Sequence, residues 1–141
     1  MGWSYGGFLT SWTIGHSDRF KAASIGAPGT DWAGLYGASD VPREILWTYF
    51  GGKPWDNMET YRRHSSRYTL ARIKTPSLLL HGAEDIDPIS EIFQALTDLL
   101  VPVEFATYPR EGHSISEPRH QQDLMQRNLR WFKRWILKAA S

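Results

Sequence analysis

Pro76-Ser77-Leu78-Leu79-Leu80-His81-Gly82-Ala83-Glu84-Asp85 is the stretch whose reading decides the fold. Three consecutive leucines between turn-forming residues leave no polar face. The segment therefore reads as a strand buried on both sides, as in a parallel sheet covered by helices. Two further segments, Val103 to Pro109 and Phe20 to Ile25, read as strands of the same kind, the latter ended by Gly26-Ala27-Pro28-Gly29. Helical patterns lie between them. Tyr5 to Ser17 carries Phe8, Leu9, Trp12 and Thr13 on one side. After the leucines, Asp87-Pro88 is an N-cap and first-turn pair, followed by a stripe of Ile89, Ile92, Phe93, Leu96, Leu99 and Leu100. A last helix, 118–137, sets Met125, Leu129, Phe132 and Ile136 nearly opposite Arg127, Arg130, Arg134 and Lys138. The expected fold class is α/β, with about three parallel strands, flanking helices and right-handed crossovers.

Both strand ends carry polar groups. Asp85 lies just past the leucine strand, and Arg110-Glu111-Gly112-His113 follows the next strand, with Gly112 expected to give the backbone freedom to aim the His113 ring. Loops at the carboxyl ends of an open α/β sheet are where such folds gather functional groups. At the front of the chain stands Met1-Gly2-Trp3-Ser4-Tyr5-Gly6-Gly7. Gly2-x-Ser4-x-Gly6 is the pattern of a nucleophile elbow, in which a tight strand-to-helix turn exposes a serine hydroxyl, and Gly2 and Gly6 keep Cβ atoms out of the crowded turn. The chain order is serine, acid, histidine, as an elbow of this type requires. Ser4 is accordingly the candidate nucleophile, His113 the base and Asp85 the acid, with Asp87 as the alternative acid. The Tyr5 N–H, at the start of the following helix, is the candidate oxyanion donor.

Gly-Trp-Ser-Tyr-Gly-Gly at 2–7, Thr-Pro-x-Leu-Leu-Leu-His-Gly-x-x-Asp at 75–85 and Val-Pro-Val-Glu-Phe-x-x-Tyr-Pro-Arg-Glu-Gly-His at 101–113 resemble the catalytic domain of the prolyl oligopeptidase family, most closely its acylaminoacyl-peptidase-like branch. The resemblance spans nearly the whole chain. It implies a truncated α/β-hydrolase fold, residues 1–141 being the part of the catalytic domain that begins at the elbow. It also implies Ser4, Asp85 and His113 in the three catalytic roles and an ester or peptide substrate. Relatives carry strands before the elbow and a loop that supplies a second oxyanion donor. The stretch from Asp85 to the following proline is one residue shorter here than is usual in the family.

The excursion from Thr30 to His64 holds Trp32, Tyr36, Trp47, Tyr49, Phe50, Trp55 and Tyr61. It reads as short helices, 42–49 and 57–64, around a Gly51-Gly52-Lys53-Pro54 turn. In an α/β hydrolase an excursion here overlies the active site, although most of its aromatics are expected to fill core. A net charge of +1 gives no general attraction to nucleic acid or membrane. With no cysteine, thiol catalysis and disulfides are excluded. No cofactor is expected, and no metal, because His81, Asp85 and His113 do not have a typical ligand spacing. His16, His81 and His120 read as structural. No long apolar segment or basic leader is seen, which sets a cytoplasmic expectation. A homo-oligomer or a missing N-terminal half is the expected partner. Two other classes stay open: an inactive interaction module kept folded by association, and one half of a split hydrolase.

Overall fold

The structure is a computed structural model that describes residues 1–38, 41–86 and 89–137. Asp87, Pro88 and Lys138, which carry sequence expectations, lie outside the described residues. Four parallel strands, β1 (Gly2–Trp3), β2 (Ala23–Gly26), β3 (Ser77–Gly82) and β4 (Val103–Tyr108), form one sheet in the order β1-β2-β3-β4. The sequence reading missed β1, since a two-residue strand has no periodicity to detect. β1 nevertheless pairs Gly2 with Ile25 and Trp3 with Gly26. β2 starts three residues later than expected and includes Gly26.

Between the strands run α1 (Tyr5–Ile14), α2 (Trp32–Ala38), α3 (Arg43–Phe50), α4 (Met58–His64), a 3₁₀ segment (Ser66–Arg72) and α5 (Ser90–Asp98). Then α6 (Pro118–Phe132) closes the chain with one π-turn over Lys133–Leu137. Because the strands are laid down in sequential order, right-handed crossovers put every connection on the same face of the sheet. On that face Leu79 and Ile25 pack with Ile14, Leu70, Ile73, Ile92 and Leu96. Leu78 and Leu80 point the other way, onto Trp131 of α6. Burying each such aliphatic side chain stabilises the fold by about 1.5–3 kcal/mol.

Three helix faces differ from the sequence expectation, each for a packing reason. The buried side of α1 is Gly7, Phe8, Ser11 and Ile14, while Leu9 is exposed. Small residues face the sheet here because α1 sits almost on the backbone of β2: a Cβ on Gly7 would run into the Gly26 carbonyl. Ser11 Oγ also bonds Ser66 Oγ at 3.0 Å. α6 is turned by one position, about 100°. It buries Trp131 and half-buries Leu124, Trp135 and, from the expected stripe, Phe132, leaving Met125, Leu129 and Ile136 exposed. A bond from the Tyr108 hydroxyl to Asp123 at 3.1 Å helps set that rotation. Burial and the Asp123 carboxylate push Tyr108 up to about 12. After α5, Leu99 and Leu100 are exposed; Leu100 has a φ of 57° and turns the chain toward β4.

The elbow glycines also divide differently. A Cβ on Gly2 would meet the Gly6 carbonyl, but one on Gly6 would meet nothing within 4 Å. Gly2 and Gly7 are therefore the sterically required pair. Gly7→Ala is expected to lower stability by about 1–3 kcal/mol through overpacking, whereas Gly6→Ala should raise it by about 0.5–1 kcal/mol through the helix propensity of alanine. Urea unfolding of the two variants checks the opposite signs.

Candidate active site

Ser4 occupies the turn between β1 and α1 at φ 57° and ψ −121°. An L-residue held there costs on the order of 1–3 kcal/mol, so surrounding bonds must enforce it. They do so from both sides. The Ser4 N–H donates to the Gly26 carbonyl at 2.9 Å, and the Ser4 carbonyl accepts from the Phe8 N–H at 2.9 Å. The turn leaves Ser4 Oγ 2.7 Å from His113 Nε2. His113 Nδ1 in turn lies 3.0 Å from Asp85 Oδ2. Since a carboxylate accepts, the tautomer that suits both contacts carries its proton on Nδ1 and leaves Nε2 to accept from the serine hydroxyl. The Asp85 side chain is 7% exposed and that of His113 49%. His113 and Ser4 thus face solvent while Asp85 lies behind them.

Asp85 is aimed by its other oxygen, where Oδ1 accepts the Ile86 N–H at 2.9 Å. The alternative acid, Asp87, lies outside the described residues. His81 is buried beside Asp85, its Nδ1 4.0 Å from Oδ2. Burial lowers its pKa, opposed by the Asp85 charge.

In this sheet order β1 and β4 are three strands apart, about 14 Å at usual strand spacing. His113 must therefore be brought back over the strand ends to reach Ser4. Two residues the sequence reading passed over serve this return. Trp3 Nε1 donates to the His113 carbonyl at 2.8 Å, tying the elbow directly to the histidine loop. Gly26 leaves room for the Trp3 ring, since a Cβ there would clash with it. Glu111 is 1% exposed and accepts from the Ser116 N–H, the Ser116 hydroxyl, the Glu117 N–H and His120 Nδ1, all at 2.8–2.9 Å. In the sequence Glu111 is marked by its place two residues before His113, within the Tyr-Pro-Arg-Glu-Gly-His stretch that carries the resemblance. Gly112, expected to aim the ring, has ordinary φ and open space around its Cα; the positive φ of this loop, 63°, belongs to Arg110. Gly82 carries the steric constraint, for a Cβ there would strike the Gly112 carbonyl.

Beside Ser4, Asp85 and His113 opens a cleft of about 730 Å³. One side is Ser4, Asp85 and His113; the other is apolar, with Phe8, Trp32, Ile45, Tyr49 and Phe50 from α1 and the 30–64 excursion. The excursion's aromatics fill core less than expected, Tyr49 and Trp55 being exposed. Tyr36 and Tyr61 fill a small core with Leu46, whereas Trp32 and Phe50 line the cleft and pack on that core. Among the described residues, the cluster with metal-compatible geometry is Glu111, Glu117 and His120, whose donor atoms lie within 4.8 Å of one another. These groups are occupied internally, Glu117 by a two-bond pair with Arg110 at 2.9 Å and Glu111 by backbone N–H groups.

A family model, the prolyl oligopeptidase family, matches residues 1–139. The chain belongs to the prolyl oligopeptidase family. It is 30% identical over 140 residues to an uncharacterized peptidase of Bacillus subtilis, YuxL, covering 96% of this chain and 21% of that protein. It is 28% identical to the acylamino-acid-releasing enzyme of Arabidopsis thaliana, covering 96% and 19%. Among solved structures it is similar to the Pyrococcus horikoshii acylaminoacyl peptidase, with a TM-score of 0.88, 30% identity and coverage of 97% and 24%. An acylaminoacyl peptidase structure in complex with Z-Gly-Gly-Phe-chloromethyl ketone gives a TM-score of 0.83, 29% identity and coverage of 96% and 23%. The chain thus spans about a fifth of the length of the curated relatives it matches. The four-stranded sheet corresponds to part of the α/β-hydrolase domain of these peptidases. No helix among the described residues is long and apolar enough to cross a membrane.

The Ser116 N–H is the largest influence holding Glu111 down, to about 2 from an ordinary 4.5; burial opposes it, and the Glu117 N–H and His120 add to it. A carboxylate with a depressed pKa stabilises the fold fully above its unfolded value, and that stability is lost as pH falls through the folded value. The urea midpoint of the wild type should therefore exceed that of Glu111→Gln above pH 4.5, with the gap narrowing toward pH 2. Paired denaturation curves across that range check it.

Proposed function

We propose that residues 1–141 carry the triad of a serine hydrolase that transfers acyl groups to water through an acyl-enzyme intermediate. The observation that supports this most directly is the continuous hydrogen-bonded line from Ser4 Oγ through His113 to Asp85, at 2.7 and 3.0 Å. In this reading Ser4 attacks an ester or amide carbonyl while His113 Nε2 takes its proton. His113 then returns the proton to the leaving group, and Asp85 stabilises the imidazolium and fixes its tautomer. A water activated by His113 releases the acyl group. The Tyr5 N–H, in the unpaired first turn of α1, faces developing negative charge with the helix dipole behind it. One such donor is worth on the order of 10²–10³ in rate. The second donor is assigned to a segment outside residues 1–141.

The apolar cleft wall favours a substrate with an aliphatic or aromatic side chain on the acyl side. The phenylalanine next to the reactive group of the inhibitor bound to a related acylaminoacyl peptidase accords with that choice. A short apolar peptide or an activated ester of an apolar acid is the substrate class this reading assigns. Activated esters give the easier assay, since their leaving groups ask less protonation of His113. Ser4→Ala is expected to abolish both ester hydrolysis and labelling by a fluorophosphonate probe, and Asp85→Asn to lower kcat by up to about 10⁴-fold with the fold retained. Wild-type hydrolysis in Ser4→Ala removes Ser4 from the reaction.

We further propose that the chain works in association, with a second copy or with an N-terminal half. The observation behind this is the β1 side of β2. There β1 pairs only with Ile25 and Gly26, so Ala23 and Ser24, which pair with Ser77 and Leu78 of β3 on the other side, have no strand partner on this side among the described residues. A groove of about 350 Å³ lined by Met1, Leu9, Phe20 and Ala22 runs beside them. An open strand edge next to apolar surface favours pairing with another strand. Light scattering through a dilution series should show a mass above that of one chain; a stable single-chain species with native near-UV dichroism defeats this proposal.

A further inference from the structure

The loop from 111 to 117 carries His113 yet has no regular secondary structure, and half of the His113 side chain is in solvent. Something must set the reach of the ring, because a hydrogen-bond relay tolerates little displacement. Besides the Arg110 pair with Glu117 and the Gln121 amide on the Ile115 carbonyl, three fixtures hold the loop at His113 and Glu111. The Trp3 indole holds the His113 carbonyl. The Glu111 carbonyl accepts the N–H of Glu84, the residue before the acid, at 2.9 Å. The Glu111 carboxylate gathers the far end of the loop, Ser116 and Glu117, at the entry to α6. Glu111 is therefore attached through its main chain to the acid's loop and through its side chain to the end of the histidine's loop.

We infer that Glu111 is a positioning residue of the triad: its buried carboxylate closes the 111–117 loop and so fixes the distance from His113 to Asp85. The inference rests on the hydrolase reading above. A carboxylate is needed at this place because both oxygens accept a backbone N–H. Oε2 takes Ser116 and Oε1 takes Glu117, with the Ser116 hydroxyl and His120 as second donors. In glutamine one oxygen becomes an NH₂. Whichever way the amide turns, it sets a donor against one of the two backbone N–H groups. The hydroxyl can rotate and His120 can change tautomer, but a backbone N–H cannot adapt, and leaving it buried without an acceptor pushes the loop open. The depressed pKa of Glu111 agrees with a carboxylate ionised throughout the working range.

The test compares the unaltered chain with Glu111→Gln, Asp85→Asn and the double variant, on an activated ester. Glu111→Gln should lower kcat per folded molecule on the order of tenfold to a hundredfold with KM unchanged, as small misplacements of reacting groups do. Fluorophosphonate labelling of Ser4 should slow in proportion. Added to Asp85→Asn, the glutamine should cost far less than it does alone, because both changes act on the orientation of His113. A multiplicative double variant, or an unchanged kcat per folded molecule, reduces Glu111 to a structural role and overturns the inference. A crystal structure of Glu111→Gln gives a second readout that needs no activity. The His113–Asp85 separation should exceed the native 3.0 Å, and an unchanged separation overturns the inference even if the chain proves unreactive at Ser4 and the hydrolase reading falls. If Glu111→Gln does not fold, Glu111→Asp keeps two acceptor oxygens but shortens their reach to the Ser116 and Glu117 N–H groups; a severalfold fall in kcat per folded molecule with a lengthened His113–Asp85 separation supports the inference, and wild-type kcat at the native separation overturns it.

Discussion

The structure depends on one backbone-to-backbone approach, where Gly7 of α1 lies against the carbonyl of Gly26 at the end of β2. The Gly26 carbonyl also accepts the N–H of Ser4, and its missing side chain leaves space for the indole of Trp3. A helix pressed this closely to a strand must leave β1 through a sharp turn, and that turn holds Ser4 at positive φ. The strain of the serine is thus sustained by the packing of the first helix, which is in turn anchored in the core through Ile14. Local geometry and global packing at this point are one constraint.

The fold was largely legible because its central strand has no polar face. Leu78, Leu79 and Leu80 supply both sides of the sheet, and all three are buried. Where the reading of the sequence departed from the structure, side-chain size was the reason. On α1 the buried face is lined partly by Gly7 and Ser11, which a hydrophobic pattern does not register, so the pattern selected Leu9 instead. On α6 the apolar residues form two neighbouring stripes, Leu124-Trp131-Trp135 and Met125-Leu129-Ile136, and periodicity cannot choose between them. The choice is made by tertiary partners such as the bond from Tyr108 to Asp123.

At the candidate site, the residue types and their order were visible, and the structure brings Ser4, His113 and Asp85 into hydrogen-bond contact. What the sequence hid is how they are held. The Trp3 indole reaches a carbonyl 110 positions away, and Glu111 acts on a loop through donors at Ser116, Glu117 and His120. Such bonds join residues with no common periodicity, and several end on main-chain atoms that carry no residue-specific signature. Sequence patterns find the groups that do chemistry more readily than the groups that aim them.

Ser4, Asp85 and His113 all follow strand ends of the sheet, whereas most of the apolar wall facing them comes from residues 30–64, a single insertion between β2 and β3 with its own small core of Tyr36, Leu46 and Tyr61. That insertion meets the rest of the chain at few polar joints, among them Arg67, which bridges Asp31 and Glu91. In the proposed reading, selectivity and reactivity therefore reside in separate cassettes. Exchanging the 30–64 cassette between homologues is a route to new acyl preferences that leaves the reacting atoms where they are, and it gives evolution a way to vary the diet of such a protein without rebuilding its machinery.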